Sequence, residues 1–169
     1  MFSIFLAVLY VISPIWPLGE NPLVGDPYII VKTTSHELAF IDDGEVKQQF
    51  EVAIGKNGED TPQGEFTASV KAKNPYYRKM DIPGGDEKNP LGSRWIGFDA
   101  KETDGRVYGI HGTNRPSSIG HNVTNGCIRL KNADVEILFE EIPLGTRILV
   151  TSSEKSMEEL GIENGALSR

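Results

Sequence analysis

From Tyr28 onward the chain is cut into short apolar runs by glycine, proline and Asp-Gly punctuation, and only once does the apolar spacing turn helical. Short runs bounded by turn signals build strands, and many in succession build sandwiches or barrels. Tyr28-Ile29-Ile30-Val31-Lys32 is rich in β-branched residues and reads as the first strand. Glu37-Leu38-Ala39-Phe40-Ile41 is the second, and Asp42-Asp43-Gly44 marks a turn. Glu45 to Ile54 then alternates, with Val46, Phe50, Val52 and Ile54 on like parity. Two such runs about an Asp-Gly tip predict a hairpin. Further strands are predicted at 64–70, after the turn Thr61-Pro62-Gln63, and at 95–98, 107–111, 128–130 and 147–150. The exception is the stretch from Asn132. Asn132 suits an N-cap, Asp134 and Glu136 suit the positive end of a helix, and Val135, Leu138, Phe139 and Ile142 recur at i, i+3, i+4, i+7. Pro143 and Gly145 close it. The prediction is a mainly β fold, a sandwich of short strands with one helix.

Between Lys73 and Ser93 the patterning stops, and Asn74-Pro75, Pro83-Gly84-Gly85 and Asn89-Pro90 mark a long irregular loop. Loops of this length inside a domain often carry function. Before Tyr28, Pro14, Pro17, Gly19, Pro22, Gly25 and Pro27 give a linker composition. Phe2 to Ile12 is nearly all apolar. It is shorter than the roughly 20 residues a membrane-crossing helix needs, and it matches the apolar core of a secretory signal. No Lys or Arg precedes Lys32 and no small-x-small cleavage site is evident, while Trp16 suits an interfacial anchor. The expectation is export, secreted or tethered. The organisation expected is an N-terminal signal or anchor segment and linker over 1–26, one folded domain over 27–151, and a polar, acidic tail over 152–169 with weak helical character near Met157 to Leu160.

The 169 residues suffice for a single domain with a real core, and the formal net charge of −7 disfavours nucleic acid and anionic membranes as partners. Cys127 is the only cysteine, so neither an internal disulfide nor a multi-thiolate metal site is available. His36, His111, His121 and Cys127 match no common zinc spacing, and no metal or organic cofactor is implied. Reactivity is what remains for Cys127 beyond packing. A thiolate is the nucleophile, and a nearby imidazole can take its proton and return it to a leaving amine. His111, in Tyr108-Gly109-Ile110-His111-Gly112-Thr113, is the candidate base. Gly112 and Gly126 flank the pair, and backbone amides at Gly126 and Cys127 are candidate oxyanion donors, each typically worth about 3–4 kcal/mol.

The ordered set His111-Gly112-Thr113, Ile119-Gly120 and Thr124-x-Gly126-Cys127-Ile128-Arg129-Leu130 closely resembles the signature of L,D-transpeptidases with a YkuD-type catalytic domain. Thr61-Pro62-x-Gly64-x-Phe66 and Pro143-x-Gly145-Thr146 also look like that family, so the resemblance runs from about Pro27 to Thr151. It implies a β-rich sandwich that acts on peptidoglycan stem tetrapeptides through a cysteine thioester and forms 3→3 crosslinks. By motif position Cys127 is the nucleophile, His111 the acid–base, and the Gly112 carbonyl the orienting group. Arg129 falls at a motif position suited to ordering the site or meeting a substrate carboxylate, and Asn125 and Thr113 are assigned to substrate. Tyr108 reads either as a pocket-lining residue or as a half-buried strand tyrosine, and His121 as a loop residue. Many members carry histidine where this chain has Asn125, and asparagine cannot move a proton near neutral pH. The resemblance also implies acylation of Cys127 by carbapenem-type β-lactams. Two alternatives stay open: an L,D-carboxypeptidase in which water resolves the thioester, and a non-catalytic wall-binding module in which Cys127 only packs.

Overall fold

β1 (Tyr28–Lys32) is buried at all five positions because apolar groups meet it on both faces. Ile29 and Val31 enter one core with Phe40, Phe98, Ile110 and Ile128, while Tyr28 and Ile30 enter a second with Ala39, Ile41 and Leu160. A strand covered on both sides needs a continuous apolar run, which is what this segment supplies. The computed structural model of the chain describes residues 23–57 and 61–169, and the apolar segment from Phe2 to Ile12 lies outside the described residues.

β1 pairs antiparallel with β2 (Glu37–Asp42), which turns at Asp43 and Gly44 into β3 (Glu45–Glu51). Asp43 and Gly44 both have positive φ, 50° and 71°, as a two-residue hairpin turn matched to strand twist requires. The predicted strand to Ile54 ends earlier, at Glu51. Ala53 leaves β3 and bridges Arg129, and a two-residue β4 (Ile54–Gly55) pairs with β8 (Asn122–Thr124), a strand that gave no sequence signal. β5 (Gly64–Lys73), β6 (Arg94–Phe98) and β7 (Tyr108–His111) form an antiparallel meander, and β9 (Ile128–Arg129) adds in parallel to β7. β10 (Arg147–Thr151) lies between β1 and β5, so the sheet order is β3-β2-β1-β10-β5-β6-β7-β9.

This sheet is curled. Its far edges are drawn together where Ala53, just past β3, exchanges two backbone bonds of 2.8 Å with Arg129 of β9. That closure occupies backbone groups that an open edge would leave exposed. Helix α1 (Asn132–Glu141) buries Val135, Leu138 and Phe139 against β6 and β7, and Pro143 follows its end. Its N-cap is Lys131, one residue earlier than expected, and no side chain caps it; the Asn132 side chain is used elsewhere. In the tail, the weak helical character expected near Met157 to Leu160 is a formed helix. Residues Met157–Glu163 form α2, started by a reciprocal capping box between Ser156 and Glu159. Met157, Leu160, Ala166 and Leu167 cover the outer apolar face of β1 and β2, which would otherwise meet water.

Candidate active site

β7 and β9 build the floor of the site. Ile110 faces Ile128 across the pair, and both are fully buried in the core. Strand alternation then sends Gly109 and His111 to the opposite face, with Cys127 and Arg129 beside them. Arg129 pairs directly with His111, so Cys127, the residue just before β9, sits diagonal to His111. Diagonal neighbours on one sheet face lie within reach of long and aromatic side chains. Trp95 of β6 pairs with His111 from the other side and stacks on its ring, centroids 5.6 Å apart at 19°. The indole Nε1 donates to the Gly105 carbonyl at 2.9 Å. It lies across Gly109, where a Cβ would come within 2.6 Å of the indole. Trp95 carried no functional signal on its own; a glycine within the β7 segment is the trace of its approach.

His111 is 4% exposed, and its Nδ1 lies 2.6 Å from the Gly112 carbonyl. That bond assigns the proton to Nδ1 and leaves a lone pair on Nε2. Burial lowers the imidazole pKa to about 4; the Arg129 cation adds to the fall, and the Gly112 and Leu91 carbonyls oppose it. Burial pushes the Cys127 thiol up, against the Gly109 amide and the Arg129 charge. Its Sγ donates to the Val107 carbonyl at 3.6 Å. At neutral pH the pair is therefore a neutral thiol beside a neutral imidazole. Arg129 Nη1 donates to Ser118 Oγ at 3.0 Å, and its Nε is buried without a hydrogen-bond partner. Burial and the Arg115 cation lower the Arg129 pKa, so its charge is held at some cost beside Cys127 and His111.

A cavity of about 520 Å³ opens over Cys127. Trp95, Arg106 and Val107 form one side, and the long loop supplies Pro75, Tyr76, Tyr77, Arg78, Lys79 and Leu91 as the other. The loop is ordered by its own bonds. Tyr77 bridges Ile82, a 3₁₀ turn spans Arg78–Met80, and Asn89 is buried at its base. Asn89 Nδ2 donates to the Pro75 and Pro83 carbonyls at 2.8 and 3.0 Å, and its Oδ1 accepts from the Leu91 amide at 2.9 Å.

The remaining site residues separate. Thr113 is buried, and its hydroxyl accepts from the Arg115 amide at 2.9 Å, so it shapes the loop after His111 and does not line the cavity over Cys127. Tyr108 is half-buried on the strand face opposite His111, packed on the core and stacked on Phe98 at 6.5 Å, the second of its two readings, and it does not line the cavity over Cys127. Asn125 is exposed beside Gly126. Gly126 has φ of 115°, and its amide donates to Thr124 Oγ1 at 3.2 Å, so this expected oxyanion donor is already engaged. The Thr124 hydroxyl in turn donates to the Cys127 carbonyl at 2.6 Å, and the pair of bonds fixes the turn that presents the thiol. His121 is exposed, its ring at the Ile119 carbonyl, and His36 pairs with the Asn122 side chain.

The family described as YkuD, L,D-transpeptidase catalytic domain, matches residues 26–150. A Bacillus subtilis (strain 168) protein provisionally named L,D-transpeptidase YqjB is 59% identical over 161 residues, covering 95% of this chain and 92% of that protein. Among solved structures, an L,D-transpeptidase from Mycobacterium smegmatis aligns with a TM-score of 0.60 at 26% identity, over 75% of this chain and 58% of that one. The catalytic domain of an Enterococcus faecium L,D-transpeptidase acylated by ertapenem aligns with a TM-score of 0.57 at 23% identity, over 77% of this chain and 100% of that one, a likeness of fold.

Proposed function

As the chain belongs to the L,D-transpeptidase family with a YkuD catalytic domain, we propose that Cys127 carries acyl transfer between peptidoglycan stem peptides. The observation that carries this reading is the placement of the sole thiol on the floor of a cavity, diagonal to an imidazole whose Nδ1 is held by a backbone carbonyl. In this reading the Cys127 S–H, which bonds the Val107 carbonyl at rest, turns to His111 Nε2 when substrate is bound. The sulfur attacks the carbonyl carbon of the third stem residue as its proton passes to Nε2. The tetrahedral intermediate collapses, the terminal D-alanine leaves with the proton from Nε2, and a thioester to Cys127 remains. The side-chain amine of a second stem then attacks the thioester, gives a proton through His111 to the departing sulfur, and a 3→3 crosslink forms.

The lining supports an anionic donor. Arg78, Lys79 and Arg106 border the cavity and, among the described residues, no carboxylate does, although the chain as a whole carries −7. Stem peptides bear free carboxylates that such a lining attracts. Arg129, anchored by Ser118, adds a fixed cation beside the reacting atoms. Carbapenem-type β-lactams, which acylate the Enterococcus faecium relative, open on the same sulfur in this reading. The substrate lies outside the cytoplasmic membrane, and the apolar N-terminal segment supports export, secreted or tethered.

The direct test is incubation with tetrapeptide-bearing muropeptides, followed by mass spectrometry. The expected products are D-alanine and a crosslinked dimer, both lost in Cys127→Ala. Release of D-alanine without dimer would reassign the enzyme to L,D-carboxypeptidase activity. Unchanged turnover in Cys127→Ala would reject the cysteine mechanism.

A further inference from the structure

The Gly112 carbonyl orients His111; the Gly112 amide donates to the Arg94 carbonyl of β6 at 3.2 Å, and the Thr113 end of the same peptide is held by a side chain from α1. Asn132, the first residue of α1, turns its Oδ1 back toward the sheet and accepts the Thr113 amide at 3.0 Å and the Ser93 amide at 3.2 Å. Both partners are N–H donors, so the oxygen is the end facing inward. Two glycines from separate segments close on this one oxygen. A Cβ at Gly112 would stand 2.1 Å from Oδ1, and a Cβ at Gly92 would stand 2.2 Å from it. Gly92 and Ser93 end the long loop, directly after Leu91, whose carbonyl raises the His111 pKa. Gly112 and Thr113 directly follow His111. One oxygen therefore ties the end of the loop to the peptide that aims the imidazole.

We infer that Asn132 is a positioning residue for His111, clamping the Gly112 carbonyl through the Thr113 amide and registering the cavity-lining loop through the Ser93 amide. This rests on reading His111 as the base. It explains why Asn132 does not cap its own helix: the Oδ1 that would take an α1 amide is committed to the strand side. It also explains two glycines at which any side chain would displace the oxygen.

The test compares Asn132→Ala with Asn132→Asp, which keeps an inward oxygen acceptor and suits the first turn of a helix. Acylation by imipenem is followed by intact mass, thermal unfolding reports the fold, and ¹⁵N-edited NMR reports the His111 tautomer. In Asn132→Ala the maximal acylation rate should fall by about tenfold or more, as small misplacements of a base do. Asn132→Asp should stay within about threefold of wild type by the same measure. The wild-type ring should be protonated at Nδ1, and the alanine variant should shift toward a mixture of tautomers. Wild-type acylation in Asn132→Ala, an equal loss in Asn132→Asp, or an unchanged His111 tautomer in Asn132→Ala would each overturn the inference. A wild type that imipenem does not acylate would count against the proposed activity instead, and the NMR comparison would still decide the clamp.

Discussion

At the scale of single residues, burial favours the neutral forms of Cys127 and His111. His111 titrates at about 4, below its ordinary value, and burial raises Cys127. Acylation needs a neutral imidazole, so its rate should persist as pH falls through 6 and drop only toward pH 4, which a pH–rate profile measures. The same shift acts on stability. Below about pH 6.5 the unfolded chain takes up a proton that folded His111 refuses until about pH 4. His111 therefore contributes stability in full above that window, and it is lost as pH falls through it. By pH 4.5 the loss should reach about 2–3 kcal/mol relative to His111→Gln in paired urea titrations. A slope shared by both proteins would contradict it. Gly109→Ala should cost about 1–3 kcal/mol and slow acylation, because its Cβ displaces the indole stacked on His111. Cys127 and His111 were legible as candidates in the sequence because their chemistry is intrinsic to residue type. Trp95 and the Asn132 clamp were not, since each acts through a partner distant in the chain.

Among the elements, the strands were legible where a two-sided core demanded a continuous apolar run, as at β1, and where Asp43-Gly44 fixed a hairpin. β8 was not, because Asn122-Val123-Thr124 is held by pairing with β4 more than by any apolar pattern of its own. The tail was legible as helical near Met157 to Leu160, but its packing was not. Its polar composition hid four apolar residues spaced to cover β1 and β2, although the Ser156-x-x-Glu159 box was already in the sequence. Leu160→Ala should lower stability by about 2–5 kcal/mol in denaturant unfolding, the usual cost of a buried leucine, whereas a tail without a packing role would give nearly none. The loop from Lys73 to Ser93 shows the converse case. It lacks regular structure yet is fastened by Asn89. Asn89→Ala should raise the concentration of imipenem needed for half-maximal acylation with a smaller effect on the maximal rate. An unchanged concentration dependence would separate the loop from binding.

Over the whole molecule, the curl of one sheet does the organising. Bringing Ala53 onto Arg129 draws β9 against the chain just past β3 and seats the Cys127 turn at the end of the sheet, under the long loop. The family motif was legible as an ordered set of short signals, but that closure was not, because edge-to-edge bonds depend on sheet twist summed over eight strands. The account rests on Cys127 being reached from the cavity and activated by His111. Intact-protein mass after exposure to imipenem tests this most directly. The wild type should gain the mass of one drug molecule, Cys127→Ala should gain none, and His111→Gln should gain it far more slowly. An adduct that persists in Cys127→Ala, or a wild type that stays unmodified while folded, would contradict it.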